Sequence, residues 1–528
     1  QGGRSKRTAE GSELWWCLAS PYMNNSKRSN IIISSCFRSL RRIHHQSDDA
    51  KRLLRPLIDQ LLQYYEDNDV MVQREHASPK DIRNSLLKNS KDVKSALEEL
   101  CKYSVRTSSP LFLNQLYSGA DPISIAGEFA LAVTNTNAHT FEVSPAFSVI
   151  EQMVIENIGK KFGFDLVEGL TTPGGSVSNL YAMHLARYVA DPDVKTRGAV
   201  HGPRLIALVS EDAHYSYAKA ARVLGIGDNN LIKIPTRIDS GQMDTDILYS
   251  KLKEFHTNNT KVFFIGSTAG TTVRGSFDNL ETIASISSNY NVWHHVDAAW
   301  GGAAIWSENK DTRALLRGVK NADSLAWNAH KLINVALPCA FFLTKRIGAL
   351  EETNATHAPY LFQPEKQFRE ADFGDRTIMC GRKADSFKFW LYHIHYGDQG
   401  IAQRVDHCLR LARLAADYVA NHSLLELVFP PSFANVCFRP KLPHLTADQL
   451  HQLPPLIKQH MHSKGDAMIG FQTHHATSVG NFFRLVITHG GSESLLTETQ
   501  LTSMLDRIAQ LALSLSSSGT TKKRTKGT

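Results

Sequence analysis

Four short stretches hold residue types that do chemistry in combination. The run DSLAWNAHKL (323–332) ends an apolar, strand-like segment in Asn328, His330 and Lys331. Lysine is costly to bury because its ammonium loses water, yet a desolvated amine is a good nucleophile toward a carbonyl. HVDAAWGG (295–302) places Asp297 at the carboxyl end of another apolar run, where open α/β sheets gather their ligands. A buried carboxylate there needs a cation, a metal or a proton as partner. SEDAHYSYAKAA (210–221) sets His214 just past a third run. In TPGGSVSNLYAMHLARY (172–188), Gly174 and Gly175 precede an amphipathic helix, with Ser176 and Ser178 as hydroxyls. Such a helix start offers free N–H groups and a positive dipole end to an anion. It is neither GxGxxG nor a Walker loop. Taken singly, each stretch reads more simply, as a surface lysine, a structural histidine or a Gly-Ser turn.

Taken together, they match the needs of pyridoxal phosphate. That cofactor requires an amine for its aldehyde, an acid at its ring nitrogen, a flat group over the ring and donors around its phosphate. The acid is central, because a protonated ring can accept electrons from a breaking bond.

The elements that must position these residues are legible as short continuous apolar runs: 204–210, 230–235, 261–267, 291–297, 324–327 and 340–345. Runs without polar alternation are strands buried on both faces, which points to a parallel sheet covered by helices. Leucines at three- and four-residue spacing predict helices between about 50 and 105. From Gly400 a long helical stretch (Val405 to Val419), then short strands and further helix, predicts a smaller α+β domain. The expected organisation is a basic arm (1–50), a helical segment (51–110), a large domain (111–398), a small domain (399–515) and a basic tail (516–528).

Charge and composition narrow the function classes. The chain has 528 residues and a net charge of +8. Residues 1–50 hold eight Lys/Arg against four acids, and the tail from Gly519 holds four more Lys/Arg, so residues 51–518 are neutral. Basic ends on a neutral body are expected to be solvated tails rather than a nucleic-acid groove. The longest uncharged apolar run, Val335 to Leu343, is about half of a membrane span. Seven scattered cysteines without a CxxC pair signal neither a zinc ribbon nor a disulfide framework, and suit a reducing, cytoplasmic setting. The first fifty residues weakly resemble an organelle transit peptide, but Glu10 and Glu13 count against it, and a disordered arm is expected. The histidine pairs at 294–295 and 474–475 and the HIH at 393–395 have no carboxylate or cysteine at matching spacing, so no metal site is expected.

The chain resembles the group II pyridoxal-phosphate decarboxylases, in the glutamate and cysteine-sulfinate branch, from about 110 to 515. The motifs run in order: NQLYSGADPISIAGE, NTNAHTFEVSPAF, TPGGSVSNLYAM, STAGTTVRGSFD, HVDAAWGG, WNAHKL, HAPYLFQ, CGRKADSFKFWL and VGNFFRLVI. The resemblance implies fold type I, the aspartate-aminotransferase-like architecture, with a mostly parallel seven-stranded sheet in the large domain. It implies Lys331 as the Schiff-base lysine, His214 stacked on the ring and Asp297 at the ring nitrogen. Thr272 and Ala299 would line the ring, and Gly175, Ser176, Asn328 and His330 would surround the phosphate. Tyr360 matches the tyrosine of a mobile loop that returns a proton to the substrate. Arg484 and Gln115 match the pair that holds the substrate's side-chain carboxylate. The family is dimeric, its site lies at the subunit interface, and the 51–110 segment would pack on the partner. One departure is visible: Ala329 stands where proline is usual. A catalytically silent relative is disfavoured because every reactive position is intact.

The choice of substrate rests on fewer residues. The guanidinium of Arg484 can grip a carboxylate or sulfinate in two places, which selects an acidic rather than an aromatic amino acid. Tyr117, bulky where glutamate enzymes have serine, shortens the pocket. Asn137 matches the glutamate enzymes, and His139 matches neither branch but could add a donor or a positive charge. The reading leans to aspartate giving β-alanine, with glutamate or cysteine sulfinate as the alternative.

Overall fold

The computed structural model describes residues 51–66, 71–73, 75–361, 363, 365–490 and 496–518. The expected basic arm and the tail from 519 lie outside them. The chain divides into two compact units, Gln1–Asn68 with Ala77–Tyr103, and Asp69–His76 with Ser104–Thr528.

In the first unit, helices span 51–66, Pro79–Asn89 and Val93–Tyr103, as the leucine spacing predicts. Ser78 caps the second by accepting the Asp81 N–H, with Pro79 following where a missing donor costs nothing. Glu99 ties the last two helices together, accepting from Ser85 Oγ at 2.6 Å and Asn89 Nδ2 at 3.1 Å.

The second unit holds two sheets. Strands β1 (Phe112–Leu113) and β9 (Leu425–Leu427) to β12 (Phe482–Val486) belong to the smaller one. The larger contains β2 (Glu168–Thr172), β3 (Leu205–Ser210), β4 (Leu231–Ile234), β5 (Lys261–Thr268), β6 (Trp293–Asp297), β7 (Ser324–Asn328) and β8 (Ala340–Thr344). Its order is β2-β8-β7-β6-β5-β3-β4, and only β8 runs antiparallel to its neighbours. Every run expected as a strand is one, and β2 is added. EGLTT carries no aliphatic run and is buried through its pairing with β8.

The lack of polar alternation has the predicted cause. Leu205, Ala207 and Val209 of β3 pack with Tyr181, Leu185 and Ala220 on one face. Ile206 and Leu208 pack with Leu248, Leu252 and Ile283 on the other. Both faces are dry, so alternate residues are apolar throughout. Each buried Leu, Ile or Val among them contributes about 1.5–3 kcal/mol.

The smaller sheet has the order β1-β11-β12-β10-β9, with β10 (Asn435–Pro440) and β11 (Met468–Gln472). Its first strand lies next to the expected start of the large domain, yet pairs in parallel with β11. Thus the segment around 112 is built into the C-terminal sheet. The expected division near 398 falls beside Gly397, whose φ of 61° and ψ of −176° break the helix Ser386–Asn421. One apolar core nonetheless continues across it, joining Trp327 and Phe389 to Leu411 and Leu505. The last helix, Glu498–Ser518, runs past residue 515, so the tail begins later than expected. Among the described residues no helix is long and apolar enough to cross a membrane.

Candidate active site

A cavity of about 270 Å³ opens where β5, β6 and β7 end and where the chain leaves β3. The chain steps outward from β3 to β4 and returns to β5 on the other side, so this is the point where the strand order reverses. All nine residues expected around a cofactor line this cavity: Gly175, Ser176, His214, Thr272, Asp297, Ala299, Asn328, His330 and Lys331.

Lys331 follows the buried strand SLAWN, through a turn fixed by His330. His330 Nδ1 lies 2.8 Å from the Cys339 carbonyl and 3.0 Å from its N–H, and Ala329 is fully buried beneath. That anchor replaces the rigidity a proline would bring. Burial pushes the Lys331 ammonium below its ordinary pKa, and the negative charge of Asp297 opposes the shift. The same two effects act on His214, with Lys331 adding to the depression. Burial brings His330 down to about 4, so it is neutral near pH 7. Asp297 is 6% exposed and accepts the Ala299 N–H at Oδ1 (3.1 Å) and an Asn179 N–H at Oδ2 (2.8 Å). Amine, imidazole and carboxylate therefore sense one another across the cavity.

The opposite wall is the start of the helix Gly175–Ala190, which has no side-chain cap. Gly174 takes φ 137°, a conformation closed to side chains. A Cβ on Gly175 would stand 3.2 Å from Ala299 Cβ and 3.2 Å from the Asn328 carboxamide. Turned with its oxygen toward Gly175, that carboxamide accepts the Gly175 N–H at 3.3 Å. Asn328 thus takes the Gly175 N–H, and the Gly174 carbonyl takes those of Val177 and Ser178. The Ser176 N–H and the positive end of the helix, in a close glycine-lined approach, fit a phosphate. With a desolvated lysine and an anchored carboxylate across the cavity, the residues fit pyridoxal phosphate.

None of the residues expected to bind the substrate's acidic end, Gln115, Tyr117, Asn137, His139 and Arg484, lines this cavity, and Gln115 is exposed. Arg484, on β12, donates from Nη1 to the Thr272 carbonyl (3.0 Å) and from Nη2 to the Asn114 carbonyl (2.7 Å). It thereby joins a cavity wall to the residue preceding Gln115. Among the described residues its buried Nε–H has no hydrogen-bond partner. Tyr117 packs its ring on Phe112, with centroids 5.9 Å apart. Asn137 Oδ1 accepts the Arg382 N–H at 2.8 Å, and Arg382 Nη1 donates to the Ala138 carbonyl at 2.7 Å. His139 is held below the ordinary imidazole pKa, by burial first and by the Arg382 charge second. It is a neutral ring near pH 7, which removes the positive charge considered from sequence. Tyr360 is 78% exposed and does not line its own chain's cavity.

Two arrangements escaped the sequence. Asn179 and Ser216 bind Asp297 and His214, and His295 binds Asn179. The signal was His295 itself, two residues before Asp297 on the same face of a strand buried on both sides. The fold also brings Asp212 to the 474–475 pair, which was set aside for want of a nearby carboxylate. His474 Nε2 lies 2.9 Å and His475 Nδ1 3.6 Å from Asp212 Oδ1. His474 Nδ1 accepts the Ala476 N–H at 3.1 Å, which leaves its proton on Nε2, facing Asp212. One ligand atom from each of Asp212, His474 and His475 lies within 4.8 Å of the others, a group that could hold a metal ion and that the sequence reading set aside.

Comparison with known proteins gives the same picture. Residues 75–441 match the pyridoxal-dependent decarboxylase conserved domain. The acidic amino acid decarboxylase GADL1 of Bos taurus is 38% identical over 400 residues, covering 74% of this chain and 76% of the relative. The cysteine sulfinic acid decarboxylase of Homo sapiens is 36% identical over 437 residues, covering 81% and 87%. The crystal structure of mouse CSAD superposes with a TM-score of 0.81 at 32% identity, over 86% of this chain and 96% of that one. Oryza sativa TDC with PLP and tryptamine, at 20% identity and a TM-score of 0.80 over 89% and 98%, shares the fold.

Proposed function

The chain belongs to the pyridoxal-dependent decarboxylase family, and we propose that it removes the α-carboxylate of short acidic L-amino acids, cysteine sulfinate foremost. The observation that carries the reading is a desolvated lysine and an anchored aspartate facing one cavity, across from an uncapped helix start.

When bound, pyridoxal phosphate supplies an electron sink for the pair released from the Cα–carboxylate bond. Lys331 would hold its aldehyde carbon, and the burial that lowers its pKa favours the neutral amine that attacks. Asp297 would keep the ring nitrogen protonated, and His214 would cover the ring. Thr272 and Ala299 would confine the ring sides. Gly175, Ser176, Asn328 and His330 would hold the phosphate through backbone and neutral donors. Arg484 would bind the substrate's acidic side chain together with Gln115, while the neutral His139, Asn137 and Tyr117 shape that end of the site. Tyr360 would deliver a proton to the substrate's α-carbon.

The exposure of Tyr360 supports delivery to the site of a second copy, in a homodimer. Leu53, Leu54, Leu87 and Val93, on the three helices of the first unit, are 65%, 56%, 75% and 63% exposed, apolar surface that suits a partner subunit.

The substrate assignment departs from the lean to aspartate made from sequence and takes up its alternative, cysteine sulfinate, which the relatives favour. Relatives that cover most of this chain are named for acidic amino acids and for cysteine sulfinic acid. The bulk of Tyr117 favours a short side chain, which admits cysteine sulfinate and aspartate ahead of glutamate. Carbon dioxide release from cysteine sulfinate, aspartate, glutamate, tryptophan and dopa tests it. Turnover of the short acids supports the reading, and turnover of the aromatic acids alone overturns it.

A further inference from the structure

The two residues assigned to the cofactor ring are held by a buried chain of hydrogen bonds whose polarity can be followed atom by atom. As a carboxylate Asp297 only accepts, so the Asn179 carboxamide must present Nδ2 to its Oδ2, at 2.8 Å. The second N–H of Asn179 reaches Ser216 Oγ at 2.9 Å. Asn179 Oδ1 then faces His295 Nε2 at 3.0 Å, and that nitrogen must carry the proton. His295 Nδ1 is left as an acceptor for the Ser324 hydroxyl at 2.8 Å, while Ser324 Oγ accepts the Trp293 indole N–H at 2.8 Å. On the other side Ser216, having accepted from Asn179, gives its hydroxyl proton to His214 Nδ1 at 2.8 Å. The Ser216 backbone N–H points at the same nitrogen, at 3.3 Å. His214 therefore carries its proton on Nε2. Burial brings the His295 pKa down to about 4, so the ring stays neutral at working pH. Asn179, His295 and Ser324 are at most 1% exposed, and bulk water does not compete for these bonds.

We propose that Asn179 and His295 are positioning residues, the His295 Nε2–H fixing the sense of one carboxamide that sets both the donor facing Asp297 and the tautomer of His214. The proposal rests on the cofactor assignment of Asp297 and His214 made above. Its physical content is an amide that can turn over. Without the His295 donor Asn179 Oδ1 is left buried and unpaired, so its sense is held only by the bonds of Nδ2 to Asp297 and Ser216. The carboxamide can then shift or turn toward presenting Oδ1 to the carboxylate, lone pair against lone pair. Asp297 would then be less anionic toward a ring nitrogen, and Ser216 would lose the bond that aims its hydroxyl at His214.

The test compares three variants of the full-length protein with the wild type. His295→Leu removes the donor. His295→Gln restores an N–H near the Nε2 position. Asn179→Asp keeps the side-chain shape and loses the donors. Two quantities are read: the affinity of each apo protein for pyridoxal phosphate, and the pH midpoint of the bound cofactor's visible absorbance. Losing the Asn179 bond to the charged Asp297, directly in Asn179→Asp and through the released carboxamide in His295→Leu, predicts cofactor affinity about ten- to a hundredfold weaker. Their absorbance midpoint should move by about one pH unit or more. His295→Gln should stay within about threefold of wild type, because its N–H replaces the lost donor. Should His295→Leu not fold, Asn179→Asp carries the same expectation. Unchanged affinity and midpoint in the donor-less variants overturn the inference, as does a glutamine variant as impaired as the leucine one. A wild type without a visible cofactor band overturns the proposed function itself, a distinguishable failure.

Discussion

Replacing Gly175 by alanine tests the anion cradle at its tightest point. The backbone of Gly175 lies outside the left-handed region, so alanine can adopt it, and helix propensity favours alanine by up to about 1 kcal/mol. Against that, the new methyl would stand 3.2 Å from both Ala299 Cβ and the Asn328 carboxamide, where relaxed contact needs about 3.5–4.0 Å. A few tenths of an ångström of forced movement costs roughly 1–3 kcal/mol, so net of the propensity gain the apo protein should lose about 0–2 kcal/mol. The phosphate should fare worse. The methyl and the displaced Asn328 keep it from the Ser176 N–H at the start of the helix, a bond worth about 1.5–3 kcal/mol to a charged acceptor. Losing one such bond weakens cofactor affinity by about ten- to a hundredfold. Thermal melts of the apo protein and titration with pyridoxal phosphate separate the two effects. Gly174→Ala is the contrasting control: nothing stands within 4 Å of its Cβ, but φ 137° strains any side chain, so it should lose stability together with affinity. Wild-type affinity in Gly175→Ala would refute the placement of the phosphate.

Other perturbations separate the remaining roles. Glu151 accepts from Arg382 Nη2 at 2.5 Å and from the Thr171 N–H and hydroxyl at 2.7 and 2.8 Å, with Arg382 and Glu151 at 1% and 0% side-chain exposure. Glu151→Leu should cost about 3–5 kcal/mol in denaturant unfolding, and adding Arg382→Met should recover part of it, because the stranded charge is gone. Acid should destabilise the fold. His294, His295, His330 and His489 have pKa values lowered by burial to about 3, 4, 4 and 4. The unfolded chain takes up these protons from about pH 6.5 downward and the folded chain does not, so stability present above pH 6.5 is lost as pH falls toward 4. Each proton contributes about 1.4 kcal/mol per pH unit, and equal unfolding midpoints at pH 7 and pH 5 would contradict it. Arg484→Met should lower kcat/KM for acidic substrates by about tenfold to a hundredfold with cofactor affinity kept, and an unchanged value would remove Arg484 from substrate binding. Tyr360→Phe should keep cofactor affinity and slow amine formation. Mixing it with Lys331→Ala should restore activity through mixed dimers, and no restoration would place the tyrosine in its own chain's site.

The sheet was readable because burial on both faces writes itself as unbroken apolar runs, and the candidate cavity was readable because Asp297 ends one such run while His214 and Lys331 follow closely on two others. Elsewhere the sequence carried less. Phe112–Leu113 is a strand too short to leave a pattern, so its membership of the C-terminal sheet, which brings Gln115 toward Arg484, could not be foreseen. Asn179 sits on the inner face of a helix, where a polar residue gives no hint of its partners. Asp212 and His474 meet only through the fold. The protonation of His139 depends on Arg382, which is remote in sequence but tied to the same segment. Tyr360 illustrates a different limit, since its role belongs to a pair of chains.

The most direct measurement is reduction of the cofactor-loaded protein with borohydride, followed by peptide mapping of the pyridoxyl label. The label should appear on the peptide carrying Lys331 and nowhere else. Labelling at a different lysine, or no labelling, would contradict the account.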